Sequence, residues 1–269
     1  MLPPPRAGEG WGGGISMKVL LLGGAGHVGT FITPYLAKHH RLRVLDLRPP
    51  RHEGVEFVEG SVSDPDVLRT ALTGVDAFIW LVMRKPQGGS VRDQDIPTIV
   101  ENYEVNTKAL HLTLFIAQEL EVMRGVYTSS MSVHYRMRER FEQEELVPLD
   151  TPTVYGLSKG FGELICQYFA RWWDMNLIAL RITGPRTREQ YLDEREAPRI
   201  PTTGKPLFVT DEEDLANAYL AALEAIQTGH GRFDAFFIAG DEHEREHNLS
   251  KAKRVLGWEP RSHLLIETQ

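Results

Sequence analysis

A doubly wound α/β fold, with a parallel Rossmann-type sheet and helices on both faces, is the fold class this sequence predicts. Three observations point to it. Short apolar runs alternate with longer helix-like stretches along the chain. Those runs lack the strict polar–apolar alternation of a sheet with one wet face, as expected of strands buried on both sides. The first run is followed by glycines spaced by three, Gly23, Gly26 and Gly29, the pattern of a turn that brings backbone close to a pyrophosphate.

The elements follow in order. Lys18–Leu22 reads as the first strand, and Thr30 to about His39 as the helix after the glycine turn. In this reading Gly23 permits the tight turn, Gly26 the approach of backbone to phosphate, and Gly29 close packing of helix on strand. The pyrophosphate accepts hydrogen bonds from free N–H groups at the positive end of that helix. Arg41–Asp46 is a second strand ending in a carboxylate twenty residues after Gly26. Asp46 is placed to accept from ribose hydroxyls and to repel a 2′-phosphate, which favours NAD over NADP; Arg48, two residues later, is a cation that would instead pair with that phosphate.

Val55–Val58 is a short strand, and Pro65–Leu72 a helix with Asp64 at its N-cap. Val75–Val82 is a strand ending in a loop, Met83 to Asp95. Ile99–Leu120 is a long helix, Gly125–Ser130 a strand, Tyr155–Trp173 a second long helix, and Asn176–Ile182 a sixth strand. Asp211–Thr228 returns as a helix, and Leu249–Leu256 is the last. Gly23, Asp46, Val82 and Ser130 all fall at carboxyl ends of strands, where such sheets bind ligands.

Composition narrows the class. A chain of 269 residues builds a substantial core. Its net charge is −7 with no block of Lys and Arg, so no nucleic-acid partner is expected. The single cysteine, Cys166, forms neither an internal disulfide nor a cysteine metal cluster. No apolar run is long enough to cross a bilayer, so no membrane partner is expected and the chain reads as cytoplasmic. Residues 1–16, rich in Pro and Gly, are expected to be a disordered extension or a start assigned upstream of Met17.

Tyr155 and Lys159 stand four residues apart, on one face of a helix. Removing hydride from an alcohol carbon requires removing the hydroxyl proton as well. An ordinary tyrosine, near pKa 10, is too weak a base at neutrality. The Lys159 ammonium and an oxidised nicotinamide are expected to lower it.

These motifs together resemble the extended short-chain dehydrogenase/reductase superfamily, the NAD-dependent epimerase/dehydratase family. The likeness runs from Met17 to His263 and includes the glycine turn, Asp46, Asn106 in Tyr-Glu-Val-Asn-Thr, the Val-Tyr-Thr-Ser-Ser segment, Tyr155/Lys159 and Leu256–Pro260. The resemblance implies Tyr155 as catalytic acid/base, Lys159 as its partner and ribose ligand, and Ser130 as the group orienting the substrate. It implies cofactor contacts at Gly23, Gly26, His27, Val28, Gly29, Asp46, Ser61, Val62, Leu81, Asn106, Tyr155 and Lys159.

Within the superfamily the chain is similar to uronate dehydrogenases, through Tyr155–Glu163 and the compact terminus Lys251–Pro260. It departs from them on the substrate side. Met131-Ser132 replaces an Asn-His pair, Ser61 replaces an aspartate, and the arginine loop is only approximated by Arg186, Arg188, Arg195 and Arg199. The expected substrate is a sugar or sugar acid. An epimerase or dehydratase, and a non-catalytic NAD(P)-binding regulator, are the alternatives. The loop from Arg84 to Ser90, with Arg92, is a candidate for meeting a carboxylate or phosphate.

His243-Glu-Arg-Glu-His247 fits zinc-protease patterns, but the stretch is nearly all charged and has no apolar stripe to hold a helix. It is expected to be a solvated loop, and no metal is expected. The predicted organisation is a cofactor domain over 17–182, completed by about 207–228, with 183–206 and 229–269 shaping a small substrate-side lobe. The helices at 99–120 and 155–173 carry surplus apolar surface, and the resemblance implies that such helices pair in a homodimer.

Overall fold

The computed structural model describes residues 15–84, 90–134, 149–196, 208–228 and 230–264. The expected extension lies almost wholly outside them, as do residues 85–89 of the candidate substrate loop and Arg199.

Seven parallel strands form one sheet: β1 (Lys18–Leu22), β2 (Arg41–Asp46), β3 (Glu56–Glu59), β4 (Ala77–Trp80), β5 (Arg124–Ser130), β6 (Asn176–Ile182) and, later in the chain, β9 (Phe233–Ile238). Their order is β3-β2-β1-β4-β5-β6-β9. The chain winds outward from β1 in one direction and then, beginning with β4, in the other. The crevice at the carboxyl ends of β1 and β4 is therefore the switch point where ligands bind in such sheets.

Alternate residues feed two separate cores. Val19 and Leu21 of β1 pack with Val44, Ile79, Ile178 and Phe236 under α1 (His27–Leu36) and α7 (Glu212–Thr228). Leu20 and Leu22 pack on the other face with Phe78, Trp80, Tyr127 and Leu177. That face is covered by α2 (Pro65–Leu72), α4 (Ala109–Glu119) and α5 (Val154–Trp172). Each such fully buried Leu contributes roughly 1.5–3 kcal/mol, which explains why the strands read as unbroken apolar runs.

Several elements stand where the sequence places them. β1, β2, α2 and β6 match residue for residue, and Asp64 caps α2 by accepting from the Asp66 and Val67 amides. Others differ. α1 begins at His27 rather than Thr30, because Gly26, still extended, is the N-cap and helical geometry starts at the next residue. The helix expected over 99–120 starts earlier, as α3 (Ile96–Tyr103) capped by Asp95, and passes through a π-turn at Glu104–Lys108 before α4. Phe233–Ile238, grouped in the sequence reading with the substrate side, pairs in parallel with β6 as the seventh strand; its last four residues are buried.

A second, two-stranded ladder joins β7 (Pro185–Arg186) to β8 (Thr210–Asp211), with α6 (Arg188–Glu196) between them in sequence. None of these three is legible as periodicity, since the strands are two residues long and six of the nine α6 residues are charged. The His243–His247 stretch also differs from expectation. His247 is buried, its ring edge-on to Phe208 and Phe237, and the Arg245, Glu246 and His247 amides all donate to the Asp241 carboxylate. A single buried acid collects the turn, in place of the apolar stripe that periodicity looks for. Among the described residues, no helix is long and apolar enough to cross a membrane.

Candidate active site

The glycine turn is built by exclusion. Gly23 adopts φ +81°, a left-handed conformation that side chains resist, and a Cβ there would sit 3.0 Å from Val82. A Cβ on Gly29 would lie 2.2 Å from the Gly24 carbonyl oxygen, so the first turn of α1 packs directly on the loop's own backbone. Gly26 is the N-cap of α1 and has no side chain to cap with. The first-turn amides, including those of His27 and Val28, therefore present a positive helix end.

Asp46 closes the other side. Its Oδ2 accepts from the Ala25 amide at 3.0 Å and its Oδ1 from the Arg48 amide at 3.3 Å. Each oxygen keeps a second lone pair for a ribose hydroxyl. Ser61 uses its hydroxyl to accept from the Ser63 amide, and Val62 packs partly buried. Leu81 is buried and its amide donates to the Leu22 carbonyl, tying β4 to β1 at the crevice. Cramped glycines, an uncapped helix end and a carboxylate facing the loop together fit a dinucleotide.

Ser130 ends β5, Tyr155 is the second residue of α5, and Lys159 lies one turn further on; all three are buried. Thr153 caps α5 by accepting from the Gly156 amide, and Gly156 fits because a Cβ there would strike the Ser132 carbonyl at 2.1 Å. That close approach seats the start of α5 on the segment after β5 and brings the phenol to the serine. Ser130 also accepts from the Ser132 amide at 3.0 Å.

Electrostatics here differ from expectation. Burial pushes the Tyr155 phenol up to about 12, with the hydrogen bond to Ser130 opposing it. Burial pulls Lys159 down to about 7, opposed by Cys166 and Glu163. Lys159 donates to the Thr128 carbonyl at 2.9 Å and the Val82 carbonyl at 3.5 Å. Desolvation outweighs any help the lysine gives the phenolate in this arrangement, because both charged forms are disfavoured together.

Asn106 is fully buried on the π-turn. Its Oδ1 accepts from the Arg84 amide at 3.0 Å, and its Nδ2 donates to Ser158 at 2.9 Å and Asn102 at 3.1 Å. It links the end of β4 to α5, a structural task the sequence reading did not assign. The signals were Asn102 four residues before Asn106 and Ser158 beside Lys159. Met83 was also missed: the Tyr155 hydroxyl lies 3.7 Å from its sulfur.

Four of the six arginines proposed for an anionic substrate are already engaged, while Arg199 lies outside the described residues. Arg84 pairs with Glu101 at 2.5 Å, Arg186 with Glu194 at 2.6 Å, and Arg195 with Glu242 at 2.6 Å. Arg188 holds both Asp211 and Glu213 at 2.7 Å. A cleft of about 300 Å³ opens beside the glycine turn, lined by His27, Arg186, Gln190, Asp193 and Glu194. Among the described residues, no group of three His, Cys, Asp or Glu is disposed to hold a metal.

Comparison with known proteins gives the family and the fold. The profile of the NAD dependent epimerase/dehydratase family matches residues 19–202. A 3 beta-hydroxysteroid dehydrogenase/Delta 5-->4-isomerase of Mycobacterium tuberculosis is 34% identical over 122 residues, 43% of this chain and 32% of that protein. The chain thus spans about a third of the first curated relatives' length. The L-arabinose 1-dehydrogenase (NAD(P)(+)) of Haloferax volcanii is 26% identical over 263 residues, 91% of this chain and 96% of that one. Among solved structures, an Agrobacterium tumefaciens short-chain dehydrogenase/reductase superfamily protein with bound NAD superposes with TM-score 0.75 at 21% identity, covering 93% of this chain and 95% of that chain. A mutated uronate dehydrogenase gives 0.72 at 21%, covering 93% and 84%.

Proposed function

Because the chain belongs to the NAD dependent epimerase/dehydratase family, we propose that it is an NAD-dependent dehydrogenase oxidising a CH–OH carbon of a sugar. The observation that carries this reading is the convergence of Ser130, Tyr155 and Lys159 beside the glycine turn, at the switch point of the sheet. NAD supplies the hydride acceptor and a positively charged ring when bound.

The chain's own residues do the rest. The α1 amides hold the pyrophosphate, and Asp46 accepts from the ribose and disfavours a 2′-phosphate, which selects NAD over NADP. Ser130 donates to the substrate oxygen. Tyr155 takes the hydroxyl proton at its phenol oxygen; with burial holding that group near 12, added positive charge is what brings it within reach of neutral pH. Lys159, anchored on the Thr128 carbonyl, binds the ribose and shields the phenolate.

Within the substrate class, likeness to uronate dehydrogenase and to L-arabinose 1-dehydrogenase supports oxidation of a sugar. The pairing of Arg84, Arg186, Arg188 and Arg195 with carboxylates favours an uncharged aldose over a uronate, since a substrate carboxylate bound at any of these four must displace an existing partner. A homodimer accompanies this reading. Leu157, Phe161, Leu164, Tyr168 and Trp172 leave an exposed apolar stripe along α5, continued by Phe115 of α4, and a second copy would cover it.

The test is NADH formation by purified protein with NAD or NADP against aldoses, hexuronic acids and secondary alcohols. Net NADH with an aldose is the expected result. Turnover without net NADH identifies an epimerase, and NAD binding without turnover a regulator.

A further inference from the structure

Directly behind Ser130 lies a buried charge cluster that hydride transfer does not use. Glu163 on α5 and Arg181 on β6 are 1% and 2% exposed. They meet in a two-pronged contact, Nε to Oε1 at 2.9 Å and Nη2 to Oε2 at 2.6 Å. Ser129, the neighbour of Ser130, donates its hydroxyl to the same Oε1 at 2.5 Å. His134, also buried, meets Arg181 Nη1 through Nε2 at 2.7 Å, a contact that makes Nε2 the acceptor and the ring neutral.

One carboxylate therefore joins α5, β5 and β6 at the level of the site. A buried ion pair is poor value as a stabiliser, since matched apolar residues commonly do as well or better. This one sits where position matters most: Glu163 follows Lys159 by one helical turn, and its partner Ser129 precedes Ser130.

We propose that Glu163 is a positioning residue for the Ser130–Tyr155–Lys159 group, acting through Ser129 and through its charge without touching the reacting atoms. Burial drives Lys159 towards the neutral amine, and Glu163 is one of the two groups that oppose this. The groups facing Lys159 are Glu163 and Cys166 from α5, the Tyr127 ring at 5.1 Å and the Thr128 carbonyl from β5, and the Val82 carbonyl after β4. Arg181 and His134 complete the cluster around Glu163. The inference rests on the proposed hydride-transfer reading only for the catalytic consequence, because the state of Lys159 is measurable without substrate.

The experiment compares Glu163→Gln, Ser129→Ala and the double variant Glu163→Gln/Arg181→Met in the full chain. The readouts are melting temperature, the pH titration of the Lys159 Cε chemical shift (assigned by its loss in Lys159→Met), and kcat and KM. In Glu163→Gln the lysine titrates about one unit lower than in the parent. The double variant recovers melting temperature, since no cation is left buried alone, while its lysine still titrates low. Ser129→Ala melts near the parent temperature and loses about ten-fold in kcat at unchanged KM.

An unchanged Lys159 titration in both Glu163 variants overturns the proposal, as does full recovery of kcat alongside melting temperature in the double variant; either makes the cluster packing alone. If Glu163→Gln does not fold, the double variant carries the titration. If no sugar is turned over by the parent, hydride transfer is what fails, and the lysine titration still decides the role of Glu163.

Discussion

The cofactor half and the substrate side of this molecule are held together by different physics. In β1–α1–β2 the constraints are short-range and steric: a Cβ on Gly29 meets backbone at 2.2 Å, and Gly23 needs a left-handed φ. Around β7, α6 and β8 they are long-range and ionic. Arg188 bridges Asp211 and Glu213, Arg195 pairs with Glu242, and Asp214 collects the Arg261 and Ser262 amides from the far end of the chain. Steric demands name their residue type in the sequence. Charges choose partners only once the chain has folded, so arginines that read as free for a substrate turn out to be spent on neighbours.

The largest expected effect falls where the halves meet. Tyr155→Phe lowers kcat by about a thousand-fold and leaves NAD affinity by calorimetry nearly unchanged. Near-parental turnover would break the assignment of the proton step to this residue. Next, Gly29→Ala tests the steric account of the cofactor half. With no room for a methyl group against the Gly24 backbone, it destabilises the fold by about 3 kcal/mol and abolishes NAD binding, measured by denaturant unfolding and titration. A variant that binds NAD normally would show the loop to be looser than its geometry.

Lys159 supplies a pH-dependent comparison. Its folded value, about 7, lies below its ordinary value near 10.5, so between these the unfolded chain binds more protons. This residue's contribution to stability therefore rises with pH across that window and is lost as pH falls through 7. Lys159→Met is expected to stabilise the protein relative to the parent at pH 6 by on the order of 2 kcal/mol. The advantage shrinks towards pH 10. A pH-independent difference in unfolding free energy would contradict the buried amine.

The smallest effect sharpens the substrate side. The Arg84–Glu101 pair is exposed, so Glu101→Gln changes stability by less than about 1 kcal/mol. It frees Arg84 beside the site, and KM for a uronate is expected to fall while KM for an aldose stays put. Equal movement of both would mean that Arg84 does not face the substrate.

What could be read from the sequence shares one property: each feature is decided within a few residues. The apolar runs of β1, β2 and β6, the Asp64–Pro65 start of α2 and the glycine spacing all report local sterics, local capping or burial on both faces, and these survive any tertiary context. Tyr155, Lys159 and Ser130 were legible because a helix and a strand end impose their own geometry. The tertiary structure alone decided the rest. It buried His247 on Asp241, turned Asn106 inward through a π-turn to hold Arg84 and Ser158, drew Phe233–Ile238 into the sheet, and placed Arg181 in an apolar strand because Glu163 waits opposite. Apart from the His247–Asp241 contact, six residues apart, those outcomes depend on partners eighteen or more residues away. A charge or amide has no preferred side until folding sets its solvent and its neighbour.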